Sequence, residues 1–286
     1  PVVGKMRLRD VRDIQLQSIL NEQRGMSFSH VTKLRMVMQE LFHQAYRSRL
    51  IPFDPSDGLR LPKNVKGSHR SITEEERAHI LEVAQYHPSG LWVLLILYSG
   101  LRPGEAAALQ WKDIDFDKNE IHVYKAVESG TNTIKTPKTA AGIRDIPMRK
   151  ELRRVLWREH GEPFSLLFPT RKGTIRGPSG IWKLWNSFAK ELDLHMGALE
   201  EDGRILQHAI APDLTTYCLR HTFCTDLQRA GVAINIAKEL MGHSSIAVTA
   251  DIYTHRDSDV LHKNISRLDT QATNQVVKMG ENWWGN

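Results

Sequence analysis

Cysteine is nearly missing from this 286-residue chain, with only Cys218 and Cys224 present. Six residues apart inside a predicted helix, they make poor geometry for a ring, and no Cys/His metal spacing accompanies them. A disulfide scaffold and a zinc module are therefore excluded, and a reduced, intracellular protein of the cytoplasm is expected. Long apolar runs are missing too. The longest, Leu91 to Tyr98, falls far short of the roughly 20 residues that span a bilayer, so no membrane association is expected. No signal peptide opens the chain, which begins at Pro1 rather than Met, the pattern of a trimmed or excised piece. Internal repeats and low-complexity tracts are absent. So are a phosphate-cradling glycine motif and a metal-ligand set, and neither a nucleotide nor a metal cofactor is expected.

What the chain does have is positive charge, unevenly spread. Lys and Arg number 39 against 33 Asp and Glu, a net charge of +6. Residues 1–64 alone hold 11 Lys and Arg against 6 Asp and Glu. Such a surplus points to an anionic partner. Asp13 to Glu22 predicts a modest helix and His30 to Arg47 a stronger one, with Val31, Leu34, Met38, Leu41, Phe42 and Ala45 on one apolar stripe. The other face carries Lys33, Arg35, His43 and Arg47. Taken singly each reads as a solvated side chain; as a set they fit contact with a DNA backbone. Pro52, Pro55, Gly58 and Pro62 then interrupt regular structure, and a polar stretch with the cations Lys66 and Arg70 follows. The reading is a small helical domain over 1–64, a linker over 65–71 and a larger domain from 72, opened by a capping box at Thr73–Glu76.

The larger domain begins with a buried helix over Leu91 to Tyr98. Pro103 suits a first helical turn and biases Arg102 toward extended backbone just outside it, near the positive end of a helix dipole. Short strands are predicted around Ile121–Val123, Thr133–Lys135 and Ile143–Ile146, with Lys135 and Lys138 at the turns. Helices return at Arg149–Glu159 and Ser179–Leu192, and His195 to Pro212 reads as irregular, without a role. Three further helices, Cys218–Ala230, Ile234–Met241 and about Thr249–Tyr253, precede a shorter candidate at Val260–Leu268. The fold class is α+β: mainly α with a small antiparallel sheet.

Within this frame Arg220-His221, Gly242-His243 and Tyr253 set cations just ahead of a phenol. Four strings, YSGLRPGEAAALQW, KTPKTAAGIRDIP, LRHTFCT and LMGHSSIAVTADIYTH, resemble the tyrosine recombinases, or lambda-type integrases, most like those of conjugative transposons. The likeness covers most of residues 72–268; the preceding helical segment is similar to that family's core-binding domain, while its N-terminal arm-binding domain has no counterpart here.

The resemblance implies a catalytic domain over 72–267. The tail, 268–286, reads either as a segment that packs on a neighbouring protomer, since Trp283-Trp284 has little else to bury it, or as a floppy end. Tyr253 would be the nucleophile of a 3′-phosphotyrosine intermediate, and Arg102 and Arg220 would grip the non-bridging oxygens. Lys138, with Lys135 as the alternative, would protonate the leaving 5′ oxygen. His243 would donate to a phosphate oxygen or assist the tyrosine proton. Glu105 reads either as an orienting partner or as first-turn helix stabilisation. Tyr217 stands where the family usually has His; a phenol there can donate a hydrogen bond but not carry a positive charge. His221 reads as structural. The implied partners are double-stranded DNA, a tetramer on synapsed duplexes passing through a Holliday junction, and accessory bending or directionality factors. The alternatives are a tyrosine-type topoisomerase acting on one duplex and a non-catalytic DNA-binding relative.

Overall fold

The computed structural model describes residues 3–62, 70–128, 132–137 and 139–253, with the backbone alone at Tyr253. Lys66, Lys138, the candidate helix at 260–268 and the tail lie outside them. The chain divides into two compact units, Pro1–Ser68 and His69–Asn286.

In the first unit, α1 (Asp13–Glu22) and α2 (Phe28–Arg47) pair. Ser27 caps α2 by accepting from the His30 amide at 3.2 Å, satisfying one of the orphan donors of a first helical turn. The α2 stripe buries Val31, Phe42 and Ala45 against Leu16, Leu20, Ile51 and Leu59, with Leu34 and Met38 at its edge. Leu41 departs from the expected stripe: it is exposed, because the face that meets α1 is narrower than the sequence pattern. His43 pairs with Asp54, whose other oxygen takes the Ser56 amide and hydroxyl at 2.8 and 2.6 Å.

The second unit opens at α3 (Glu74–Val83), capped reciprocally by Thr73 and Glu76 at 3.0 and 2.8 Å. Its centre is α4 (Gly90–Ser99), apolar on every side and almost wholly buried, as a helix surrounded by others must be. It ends at Gly100 with φ 64°, where a Cβ would fall 2.4 Å from the Phe223 ring; position and conformation both demand glycine. Next comes α5 (Pro103–Ala108). Strands β1 (Ile114–Asp115), β2 (Glu120–Val123), β3 (Ala126–Val127), β4 (Ile134–Lys135) and β5 (Arg144–Pro147) follow. They form an antiparallel sheet of order β1-β2-β5 and a separate β3-β4 ribbon. Pairing of Ile121 with Ile146 and Val123 with Arg144 sets the register. Because strand side chains alternate, Arg144 shares the inward face with Ile146.

Helices α6 (Lys150–Arg158) and α7 (Pro178–His195) pack on α4. The stretch read from sequence as irregular holds a hairpin, β6 (Leu199–Glu201) and β7 (Arg204–Gln207). Its two-residue turn places Asp202 and Gly203 at φ 49° and 77°, as an Asp-Gly hairpin turn requires. Buried Asp193 fastens its base by accepting the Ala209 and Ile210 amides at 2.7 and 3.0 Å. Then come α8 (Thr216–Arg229), α9 (Ile234–Met241) and α10 (Ile246–Tyr253). Among the described residues no helix is long and apolar enough to cross a membrane.

Candidate active site

Helix α9 stops at Gly242, in the left-handed conformation at φ 63°. The last carbonyls of a helix lack intrahelical donors and carry the negative end of its dipole. Here three consecutive ones each take an arginine from a different element. Leu240 O accepts from Arg144 Nε at 2.8 Å, Met241 O from Arg220 Nη2 at 2.6 Å, and Gly242 O from Arg102 Nη2 at 2.8 Å. Arg220 also donates to Gly100 O, the end of α4. Two helix C-termini therefore converge on Arg220, and neutral carbonyls hold it without cancelling its charge.

Arg102 sits just ahead of α5 with φ −70° and ψ 148°, the extended conformation that Pro103 imposes. Glu105, one turn on, accepts from the Arg102 amide and from Arg102 Nη1, both at 2.8 Å. The sequence left Glu105 open between orienting a cation and stabilising a helix start; one carboxylate does both. Its other partner is Arg144, whose Nη1 and Nη2 reach it at 3.2 and 3.0 Å. Burial alone would raise the Glu105 carboxyl, but the hydrogen bonds and charge of Arg144, then the charge of Arg102, hold it below the usual carboxylate range. Burial, then the charges of Arg102 and Arg144, push Arg220 down to about 9, which leaves it a cation at neutral pH.

His243 follows Gly242 and is buried, its Nδ1 2.9 Å from Thr249 Oγ1. Burial first, then Arg220, Arg102 and Arg144, push its pKa down to about 4. At neutral pH it is an uncharged imidazole whose orientation Thr249 fixes, suited to hydrogen-bond exchange rather than to supplying a positive charge. Thr249 lies four residues before Tyr253 on α10, so the two share a helix face. The Tyr253 side chain is outside the described residues.

A cleft of about 470 Å³ adjoins these groups, lined among others by Arg102, Thr136, Pro137, Thr139, Tyr217 and Ser244. Tyr217 is 46% exposed. Pro137 and Thr139, which flank the expected acid Lys138, thus both border the cleft. Lys135, the alternative, also lines it; it lies in β4 rather than at a turn and meets Glu128 at 2.7 Å. His221 contacts Ser71 at 3.3 Å.

Of the cations expected to meet a DNA backbone, Lys33 and Arg47 are exposed on α2. Arg35 is half-buried, with its Nε buried and unpartnered. Arg70 is not a free linker cation: its guanidinium reaches Glu76 at 2.6 and 2.7 Å and Asp213 at 3.0 and 3.1 Å. Residues 70 and 71 belong to the frame of the second unit, since Ser71 also meets Thr225 at 2.7 Å.

The sequence reading missed Arg144 and Thr249. A signal for Arg144 existed, a charged residue in phase with the apolar side of a predicted strand. Among the described residues, possible metal ligands come together in two surface groups, His79–Glu82–His195 and Glu120–His122–Asp145. Neither includes a residue of the arginine cluster.

This constellation on a helical frame with small antiparallel sheets defines a class. The phage integrase family matches residues 70–259, and the chain belongs to that family. Among its relatives, a tyrosine recombinase XerC-like protein of Caldanaerobacter subterraneus subsp. tengcongensis is 29% identical over 280 residues, covering 87% of this chain and 68% of that protein. The transposase from transposon Tn916 of Enterococcus faecalis is 26% identical over 285 residues, covering 91% and 66%. The chain thus spans about two thirds of the length of these relatives. The fold is similar to that of the Tn1549 transposon integrase in complex with transposon right-end DNA, with a TM-score of 0.73 and 22% identity over 94% of this chain and 89% of that one. A lambda integrase dimer bound to a core site gives a TM-score of 0.59 at 18% identity, over 87% and 83%.

Proposed function

We propose that this chain is a site-specific DNA recombinase that integrates or excises a mobile element, working through a 3′-phosphotyrosine intermediate and a Holliday junction. The observation that carries the reading is the gathering of Arg102 and Arg220 on adjacent carbonyls, Met241 O and Gly242 O, one residue before a neutral, buried His243. Two forked cations, Arg220 held by carbonyls and Arg102 by a carbonyl and the Glu105 carboxylate, suit the non-bridging oxygens of a phosphodiester, whose negative charge grows in the transition state.

The Tyr253 phenol attacks phosphorus. A phosphotyrosine bond forms, the bond to the 5′ oxygen breaks, and that oxygen takes a proton from Lys138. The ester conserves the energy needed for rejoining, so neither ATP nor a metal enters this scheme. His243, neutral, hydrogen-bonds a phosphoryl oxygen or receives the phenolic proton. Tyr217, at the cleft edge, donates a hydrogen bond to the same phosphate. Lys33 and Arg47 meet the duplex backbone, as does Lys66 of the linker. Two duplexes are synapsed by four protomers, the 268–286 tail bridging neighbours, and accessory proteins set the direction.

The test is a nicked duplex whose short cleaved fragment diffuses away, trapping the covalent state. The expected result is a detergent-resistant protein–DNA adduct formed in chelator and absent from Tyr253→Phe. An adduct that survives this substitution, or that demands a divalent metal, contradicts the assignment.

A further inference from the structure

Arg144 is among the least exposed charged groups of the second unit. Its side chain is 2% exposed and that of its partner Glu105 4%, against 38% for Arg102. The Arg144 guanidinium touches Glu105 twice, Leu240 O through Nε, and Gly142 O at 3.2 Å. It also fills the space beside Gly242, where a Cβ would fall 2.7 Å from Nη1. With Nε, Nη1 and Nη2 all engaged by the protein, it is not placed to grip a phosphate in the cleft.

Its place is explained by the charge it balances. Glu105 is the carboxylate that hydrogen-bonds this cluster, and it lies directly on Arg102, the cation that borders the cleft. An ion pair between Arg102 and Glu105 alone would spend the charge of Arg102 on its own protein. With Arg144 present, the same carboxylate is divided between two guanidiniums. Arg102, Arg144 and Arg220 against Glu105 then leave two net positive charges beside the cleft instead of one.

We propose that Arg144 is a positioning residue for phosphoryl transfer, which neutralises Glu105 so that the carboxylate orients Arg102 without discharging it. Lying at the start of β5, it also ties that strand to the end of α9. The role runs through Arg102, and it rests on the reading of Arg102 and Arg220 as a phosphate clamp.

The experiment measures single-turnover adduct formation at saturating nicked duplex. One substrate carries an ordinary phosphate at the cleavage position; the other carries a methylphosphonate, in which a methyl group replaces one non-bridging oxygen and removes one negative charge. Arg144→Met should slow cleavage of the phosphate at least about tenfold, leave duplex affinity near that of the parent, and show a clearly smaller defect on the methylphosphonate. Adding Glu105→Gln to Arg144→Met restores the charge count of the cluster and should recover part of the phosphate rate. Removing both members of a buried ion pair together is also gentler on folding than removing one, so the double variant remains measurable if the single one melts. Equal defects on both substrates, or a double variant no faster than Arg144→Met, would mean a purely structural role and overturn the proposal. The parent protein separates the two levels: no adduct from it sinks the clamp reading and this inference together, whereas a normal parent with an unimpaired Arg144→Met overturns this inference alone.

Discussion

The two compact units use cations in opposite ways. On α2 of the first unit, Lys33 and Arg47 project into solvent from the polar side of an amphipathic helix, and little holds them in one geometry. In the second unit, Arg220 is 5% exposed and tethered by two carbonyls from different helices. Exposed cations on long flexible stems act by displacing counterions, a summed effect tolerant of position. A buried guanidinium on neutral acceptors has already lost its rotational freedom and stays charged in a poorly solvated place, which is what a charge developing in a transition state needs. On the proposed function this difference separates binding from chemistry, and substitutions can break or sharpen it.

The largest effect is expected from Arg220→Ala: a loss of roughly a thousandfold in single-turnover cleavage at saturating duplex, with much weaker change in affinity. Next is Gly242→Ala. A left-handed residue with a Cβ costs about 1–2 kcal/mol, and here the Cβ also meets the Arg144 guanidinium at 2.7 Å and Ala141 O at 3.1 Å. A lowered Tm and a cleavage defect should appear together, since the same atoms hold the helix end and the arginines.

Third is pH. The folded His243 stays neutral down to about pH 4, whereas the unfolded ring takes a proton near 6.5. The unfolded state therefore binds more protons in that window, and stability falls as pH drops from about 6.5 toward 4, by at most on the order of 3 kcal/mol. Denaturant titrations at pH 7 and 5 check this, and His243→Asn should flatten the dependence. The smallest effects are expected on α2: Lys33→Ala and Arg47→Ala should each weaken duplex binding a few-fold and lower the salt slope by about one, leaving the saturated cleavage rate unchanged.

The sequence made the local parts of this molecule legible because local physics decides them. The apolar run at 91–98 is the core of α4, Pro103 sets Arg102 extended, and Gly242 ends α9 as a left-handed cap. The hairpin at 199–207 carried its signal openly in Asp202-Gly203, yet its flanking residues are too polar and exposed to show strand alternation. Arg144 and Thr249 were missed for another reason. Arg144 acquires meaning only when folding brings it to Glu105, 39 residues earlier, and to Leu240, 96 residues later. Thr249 reads as an ordinary helical residue until its hydroxyl meets His243. The cations on α2 show the converse: their spacing was plain, and a surface charge pattern still does not say whether its partner is solvent or DNA.

The division between binding and chemistry is tested most directly by measuring duplex affinity against salt and the saturated cleavage rate, on the same preparations of Arg220→Ala and of the double variant Lys33→Ala/Arg47→Ala. The account predicts that the first keeps most of its affinity and loses its rate, while the second loses salt-dependent affinity and keeps its rate. A surface variant that stays slow at saturating DNA, or an Arg220→Ala protein that cleaves normally once bound, would contradict it.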